Sequence, residues 1–244
     1  MANDIVVGFI GLGTMGGKMA TNIQKAGYKI VVHDLHRQSA GHHLQAGAEW
    51  AETPRALAEK SDVIFTSLPE PTDVERVALG KDGLIEGIKK GAAYFDLSTN
   101  AQSVVKGIHD AFAAKGAQML DAPVSGGPSG AASRKMAIWV GGDRATYDKH
   151  KGVLDAMGDR ASYVGGIGTP SSRPSAVASV TSLVASLRAK FGGSYLPGRN
   201  CSSRPSKVRR RPVTPWRTAS HSATGSTPAF TPMENVSASA QVIA

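Results

Sequence analysis

From Ile5 to about Val164, short apolar runs rich in β-branched residues alternate with longer stretches whose apolar side chains recur every three or four positions. The runs Ile5–Ile10, Lys29–Asp34, Val63–Ser67, Ala92–Leu97, Ala117–Asp121, Met136–Val140 and Ser162–Val164 predict strands. The segments Met15–Ala26, Arg37–Ala46, Thr53–Glu59, Ala101–Lys115 and Arg144–Met157 predict helices. Pro54 directly after Thr53 marks a helix start, with Thr53 as its cap. Strands spaced by helices need crossover connections. The pattern therefore predicts an α/β fold, a doubly wound and mainly parallel sheet covered on both faces. Such sheets bind ligands beyond the carboxyl ends of their strands. The informative loops are then Gly11–Gly16, Asp34, Leu68-Pro69, Ser98-Thr99 and Val124–Gly127.

The pattern stops after Gly168. Residues 169–244 hold 8 of the 13 prolines, 15 serines and the run Arg209-Arg210-Arg211, and no helical or strand period persists there beyond Ala176–Phe191. A composition with so few large apolar side chains does not offset chain entropy, so this tail is expected to be largely disordered. The chain divides on this reading into a domain over 1–168 and a Ser/Pro/Arg-rich tail over 169–244.

Charge sharpens that division. A formal net charge of +9 over 244 residues ordinarily suggests a nucleic-acid partner. The tail, however, carries 10 of the 28 basic side chains and one of the 19 acidic ones, Glu234, which leaves 18 of each in the first 168 residues. The front domain is formally neutral and is expected to have no nucleic-acid partner. The alternative is a basic arm built on Lys207, Arg209–Arg211 and Trp216, whose binding to phosphates would depend steeply on salt. Cys201 is the only cysteine, so no intrachain disulfide can form. The N-terminus lacks the basic-then-apolar order of a signal peptide, and no apolar run reaches about 18 residues. The expected location is the cytoplasm, without membrane attachment.

The candidate chemistry begins in the first strand. Val6-Val7-Gly8-Phe9-Ile10 runs into Gly11-Leu12-Gly13-Thr14-Met15-Gly16, and a helical pattern follows. This is the arrangement that holds a dinucleotide pyrophosphate: one glycine for the turn, one for backbone approach to the phosphates, one for close helix–strand packing. The phosphates then meet unpaired N–H groups at a helix N-terminus. Asp34 ends the second strand, where a carboxylate can accept from the adenosine ribose hydroxyls and repel a 2′-phosphate, which favours NAD. Arg37 lies close enough to accommodate that phosphate, so NADP stays open. His33, His36, His42 and His43 have no cysteine or repeated carboxylate spacing to complete a metal site, and are read as solvated histidines.

Three stretches carry a family resemblance: Gly8–Gly16 with Met19-Ala20, then Asp96-Leu97-Ser98-Thr99, then Asp121-Ala122-Pro123-Val124-Ser125-Gly126-Gly127. Ser67-Leu68-Pro69 and Val140-Gly141-Gly142-Asp143 add to it. With them, residues 1–168 resemble the β-hydroxyacid dehydrogenases, the group of 3-hydroxyisobutyrate dehydrogenase and tartronate semialdehyde reductase, related to 6-phosphogluconate dehydrogenase. The resemblance implies a Rossmann-type fold and hydride transfer between NAD(P) and a small 3-hydroxy acid. It implies that Gly11, Leu12, Gly13, Thr14, Met15 and Gly16 line the pyrophosphate and that Asp34 reads the ribose. Leu68, Pro69 and Thr99 would border the cofactor towards the nicotinamide. Ser125, Gly126 and Gly127 would hold the substrate carboxylate and hydroxyl.

The resemblance ends at Gly168. Family members continue with a lysine that acts as general acid/base, then a helical domain that closes the site and forms the dimer. Here Gly168 is followed by Thr169-Pro170-Ser171-Ser172-Arg173-Pro174, and no Lys occurs before Lys190. Arg173 is close in spacing, but a guanidinium stays protonated and cannot shuttle the proton. No catalytic residue is therefore assigned, turnover is expected to be impaired, and the family's homo-oligomer is doubtful. An inactive dinucleotide-binding module, or a dinucleotide sensor with a basic arm, are the alternative functions. A reading-frame shift near residue 168 would explain the change. Ser171–Ser175 can be encoded by TCA-TCA-AGG-CCG-TCA, which read one base earlier gives x-Ile-Lys-Ala-Val. Loss of the helical domain is expected to leave an open apolar face near Gly126–Ala132 and Tyr163–Ile167. Arg134-Lys135 stands where relatives carry small or polar residues.

Overall fold

In a computed structural model of the protein, residues 4–172 are described. The tail's expected disorder, Ala176–Phe191, Cys201 and the basic arm lie outside the described residues. Strands β1 (Val6–Ile10), β2 (Lys29–His33) and β3 (Glu49–Trp50) run parallel to one side. Strands β4 (Val63–Thr66), β5 (Ala93–Asp96) and β6 (Gln118–Asp121) run parallel to the other side of β1. Two short antiparallel additions, β7 (Val124–Ser125) and β8 (Ala137–Gly141), close that flank, and β9 (Arg160–Gly165) pairs parallel with β8. The order is β3-β2-β1-β4-β5-β6-β8-β7, so strand succession reverses between β1 and β4. Ile10 faces His33 on one side and Thr66 on the other, Thr66 faces Asp96, and Asp96 faces Asp121. The carboxyl ends are thus level, and the loops leaving them share one edge.

Alternation along the strands fills two cores. Phe9, Phe65, Phe95 and Leu120 point to one face, where α1 (Gly16–Lys25) and α8 (Arg144–Met157) bring Met19, Ile23, Val153 and Leu154. Phe9 stacks on Phe65 at 6.4 Å between centroids and Phe65 on Phe95 at 5.2 Å, so the aromatic row ties three strands together. Ile10, Ile64, Tyr94 and Met119 point to the other face, under α3 (Pro54–Lys60), α4 (Pro71–Leu79), α5 (Leu84–Gly87) and α6 (Gln102–Ala114). Thr53 caps α3 as predicted, accepting the Ala56 N–H at 3.1 Å.

All seven predicted strands form, with ends displaced by at most two residues. The single helix predicted over Arg37–Ala46 is instead a 3₁₀ turn, Arg37–Ala40, followed by α2 (Gly41–Gln45). Gly41 at the junction weakens helix continuity. Val124–Gly127, expected as a loop, supplies β7 and the start of α7 (Gly127–Ser133). Trp139 N–H bonds the Pro123 carbonyl at 3.1 Å, so β7 extends the line of β6 along β8. Ser125 therefore lies about 13 Å beyond Asp121 along the chain at strand rise. The last described turn is α9 (Thr169–Ser172). Around Gly126–Ala132 the exposed positions are glycine, proline, serine and alanine; among the described residues the exposed large apolar side chains are Leu35 and Leu79. No helix among the described residues is long and apolar enough to cross a membrane.

Candidate functional site

The three glycines after β1 are required for different reasons. Gly11 has φ +92°, and a Cβ there would stand 2.3 Å from the Ser67 carbonyl oxygen. Only glycine makes that turn between β1 and β4. A Cβ on Gly16 would fall 1.8 Å from the Gly11 oxygen and 3.1 Å from Phe9, so α1 is seated against its own loop. Gly13 is unlike both. A Cβ there would meet nothing within 4 Å, and its φ is ordinary. Nothing in the protein's own packing demands a glycine at 13, which is what a backbone cleared for a ligand requires.

That cleared side opens on a cavity of about 710 Å³ at the reversal point between β1 and β4. Gly11, Gly13, Thr14, Met15, Gly16, Asp34, Leu68 and Pro69 line it together. The positive end of the α1 dipole lies there, while the Gly17 N–H is taken by the Gly13 carbonyl at 3.0 Å and the Lys18 and Met19 N–H groups by the Met15 carbonyl at 3.1 and 3.2 Å, so a ligand meets the loop ahead of them. The half-buried Asp34 accepts the Leu12 N–H at 2.7 Å and the His36 N–H at 2.8 Å. It thereby staples the glycine loop to the end of β2. Each carboxylate oxygen has two lone pairs, so acceptor capacity remains for ribose hydroxyls. A dinucleotide fits these residues: an open backbone for phosphates, a fixed carboxylate for a ribose, and a cavity spanning both. Arg37 donates to Glu52 at 2.7 Å, lies over the Trp50 ring at 5.2 Å, and does not line the cavity.

Among the described residues the cavity wall does not include Leu12, Thr99, Ser125, Gly126 or Gly127. Leu12 is buried beneath the loop and Thr99 is exposed. Ser125 to Gly127 stand farther along the same edge, with Gly126 at φ +144° and Gly127 at φ +60°. The wall also contains Leu35, Ser39, Asp73, Arg76, Val77 and Lys81, which the sequence reading did not single out. Most of these sit on or just after α4, whose apolar positions Val74, Val77, Ala78 and Leu79 fall within two turns, too short a stretch for the period to stand out.

Two buried carboxylates stand at adjacent strand ends. Asp96 accepts from the Thr66 hydroxyl at 2.8 Å, from the Ser98 N–H at 3.1 Å and from the Asn100 amide. Burial pushes its pKa up, and the Ser98, Thr66 and Asn100 donors pull against that. Asp121 accepts the Gly168 N–H at 3.0 Å and the Ser171 hydroxyl at 3.2 Å. Burial raises it to about 6 despite those donors. Of the four histidines read as solvated, His43 is fully buried, and burial, with His42 adding, lowers it to about 4. Its Nδ1 pairs with Gln24 Oε1 at 2.7 Å, which the sequence pattern did not reveal. Among the described residues no group of three or more His, Cys, Asp and Glu could hold a metal ion.

The comparisons with known proteins agree with this geometry. The family model for the NAD binding domain of 6-phosphogluconate dehydrogenase matches residues 6–165. Mitochondrial 3-hydroxyisobutyrate dehydrogenase of Mus musculus is 37% identical over 169 residues, covering 69% of this chain and 50% of its own length. NAD-dependent L-serine dehydrogenase of Pseudomonas aeruginosa is 40% identical over 159 residues, covering 65% and 53%. The solved structure of Mycobacterium tuberculosis 3-hydroxyisobutyrate dehydrogenase with L-serine superposes with a TM-score of 0.65 at 27% identity, covering 77% of this chain and 66% of that one. The chain spans about half the length of the curated relatives it matches. Glycine loop, strand order and matched span coincide, and the chain belongs to the family of the 6-phosphogluconate dehydrogenase NAD-binding domain, with a nicotinamide dinucleotide as its cofactor.

Proposed function

We propose that this chain is the cofactor half of a hydroxyacid dehydrogenase of the 3-hydroxyisobutyrate type, and that it binds NAD while turning substrate over poorly. The observation that carries the reading is the unfilled side of Gly13 within a cavity that also contains Asp34. Gly11 to Gly16 take the pyrophosphate and Asp34 the adenosine ribose, with Leu68, Pro69 and Thr99 bordering the rest of the cofactor. Ser125, Gly126 and Gly127 hold the carboxylate and hydroxyl of a small 3-hydroxy acid through backbone N–H groups and a side-chain hydroxyl. When bound, the nicotinamide exchanges hydride with the hydroxyl-bearing carbon of that acid. The names of the mouse and Pseudomonas relatives support this substrate class.

NAD is favoured over NADP because Asp34 is fixed where a 2′-phosphate would sit and Arg37 is engaged with Glu52 and Trp50. The hydroxyl proton has no lysine to receive it, since none lies between Gly168 and Lys190. Calorimetric titration with NADH and NADPH, then initial rates with NAD⁺ and 3-hydroxyisobutyrate or L-serine, tests both parts. NADH is expected to bind at least about tenfold tighter than NADPH, the equivalent of about 1.4 kcal/mol. Rates are expected at background. Absence of NADH binding overturns the whole reading, and turnover near the common enzyme value of about 10 s⁻¹ overturns the impaired-catalysis part.

A further inference from the structure

The cavity is walled on its β4 side by Ser67, Leu68 and Pro69. A dinucleotide whose first ribose meets Asp34 at β2 and whose phosphates meet the glycine loop at β1 must carry its second nucleoside on towards β4 and β5, since neighbouring strands are about 4.8 Å apart. The position of the Leu68–Pro69 segment then decides how well that second nucleoside is held.

The segment is not fixed by its own strand alone. The Ser67 N–H bonds the Ile10 carbonyl at 2.9 Å, the last ladder contact on that side. The next amide, Leu68 N–H, leaves the ladder and donates to Ser98 Oγ at 3.0 Å, across a separation of 30 residues. Ser98 is in turn bound to Asp96, whose carboxylate accepts the Ser98 N–H at 3.1 Å. The Ser98 hydroxyl also counts among the donors that oppose the burial of Asp96. Thr66, the last residue of β4, gives its hydroxyl to the same Asp96 oxygen at 2.8 Å and meets Tyr94 Oη at 2.9 Å. Asn100 closes the far side with its amide on Asp96 Oδ2.

Asp96, 1% exposed, does not line the cavity, so it does not touch the ligand. A buried carboxylate is expensive to keep unless its donors are fixed. Here the donors come from the end of β4 and from the loop after β5, so one carboxyl group clamps the two to one another.

We propose that Asp96 and Ser98 form a positioning relay for the dinucleotide site: Asp96 fixes Ser98, and Ser98 Oγ fixes Leu68 at the wall that receives the second nucleoside. This rests on the dinucleotide reading of the cavity. The Asp96-Leu97-Ser98-Thr99 stretch then acts on the cofactor from outside the cavity, through an oxygen that accepts a backbone N–H.

The test compares NADH with ADP, which spans only the Asp34 and glycine-loop end, on full-length protein. Ser98→Ala removes the acceptor for Leu68 N–H, and Ser98→Thr restores a hydroxyl. Loss of one such hydrogen bond is expected to weaken NADH binding about 3- to 10-fold. ADP affinity should change less than about 2-fold, and Ser98→Thr should recover most of the NADH loss. Asp96→Asn keeps the volume and should shift NADH in the same direction, again with ADP spared. Melting temperatures accompany each titration, and Ser98→Ala remains informative if Asp96→Asn fails to fold. Equal losses for NADH and ADP, or an unchanged NADH affinity in Ser98→Ala, overturn the relay while leaving the dinucleotide reading intact. A wild-type protein that binds neither ligand overturns both.

Discussion

Gly13 and Gly16 occupy the same motif yet answer to different forces, and substitution separates them. Gly16→Ala forces a Cβ to 1.8 Å from a backbone oxygen, which the helix can relieve only by moving off its loop. A stability loss of about 3 kcal/mol is expected by urea unfolding, as for overpacked cores. Gly13→Ala meets open space, so its urea midpoint should stay at the wild-type value while NADH affinity falls at least about tenfold. A third residue is strained without a ligand to explain it. Arg134 ends α7 at φ +62°, a left-handed position where helices prefer glycine. Its guanidinium gains only an exposed bond to the Asp155 carbonyl at 3.1 Å. Arg134→Gly is expected to stabilise by about 1 kcal/mol and raise the melting temperature by about 2–4 °C, read by calorimetry. The motif and Asp34 were legible in the sequence because backbone freedom and a strand-ending carboxylate leave a local signature. The bond from Leu12 N–H to Asp34 and the burial of His43 were not, because both depend on chain segments about 20 residues away.

At the scale of elements, the sequence showed the parallel strands other than β3, because each is a short apolar run between polar helical faces, while β3 is only Glu49-Trp50. Nor did it show α4, the single turn α5, or the pair β7 and α7. In α4 the apolar positions span less than two turns, and α7 is built of glycine, alanine, serine and proline, whose pattern reads as a turn. The junction after β9 also escaped notice, since it is made by a distant side chain. Asp121 at the end of β6 holds Gly168 and Ser171, and Gly141 gives them room: a Cβ there would lie 2.4 Å from Pro170 Cδ and 2.7 Å from Asp121 Oδ1. Burial holds the Asp121 carboxyl at about 6 in the folded chain, against the ordinary carboxylate value of 3.8 when unfolded. Between those values the folded chain holds a proton that the unfolded chain has lost. This group's contribution is therefore full below about pH 4 and is lost as pH rises through 6, by up to about 3 kcal/mol. Asp121→Asn should abolish that slope when unfolding free energy is measured from pH 4 to pH 7.

For the molecule as a whole, two buried histidines pull the other way. His43 and His150 both titrate near 4, chiefly because burial disfavours the imidazolium. Their pKa values are depressed, so the stability they confer is present above about 6.5 and lost as pH falls towards 4. Two such groups outweigh one raised aspartate, and the urea midpoint is expected to fall between pH 7 and pH 4.5. Replacing both with glutamine should flatten that fall. The two-sided sheet was legible from strand alternation with helices, whereas the strand order and its reversal point were not, because they are set by pairing between distant segments. The fastening of the final described turn has a further consequence. Asp121 holds that turn on the same edge from which the glycine loop and the Leu68–Pro69 wall emerge. Asp121 thereby ties the exit from the last strand to the loops that line the cavity, so a change at that carboxyl is felt on the same edge of the sheet as the glycine loop.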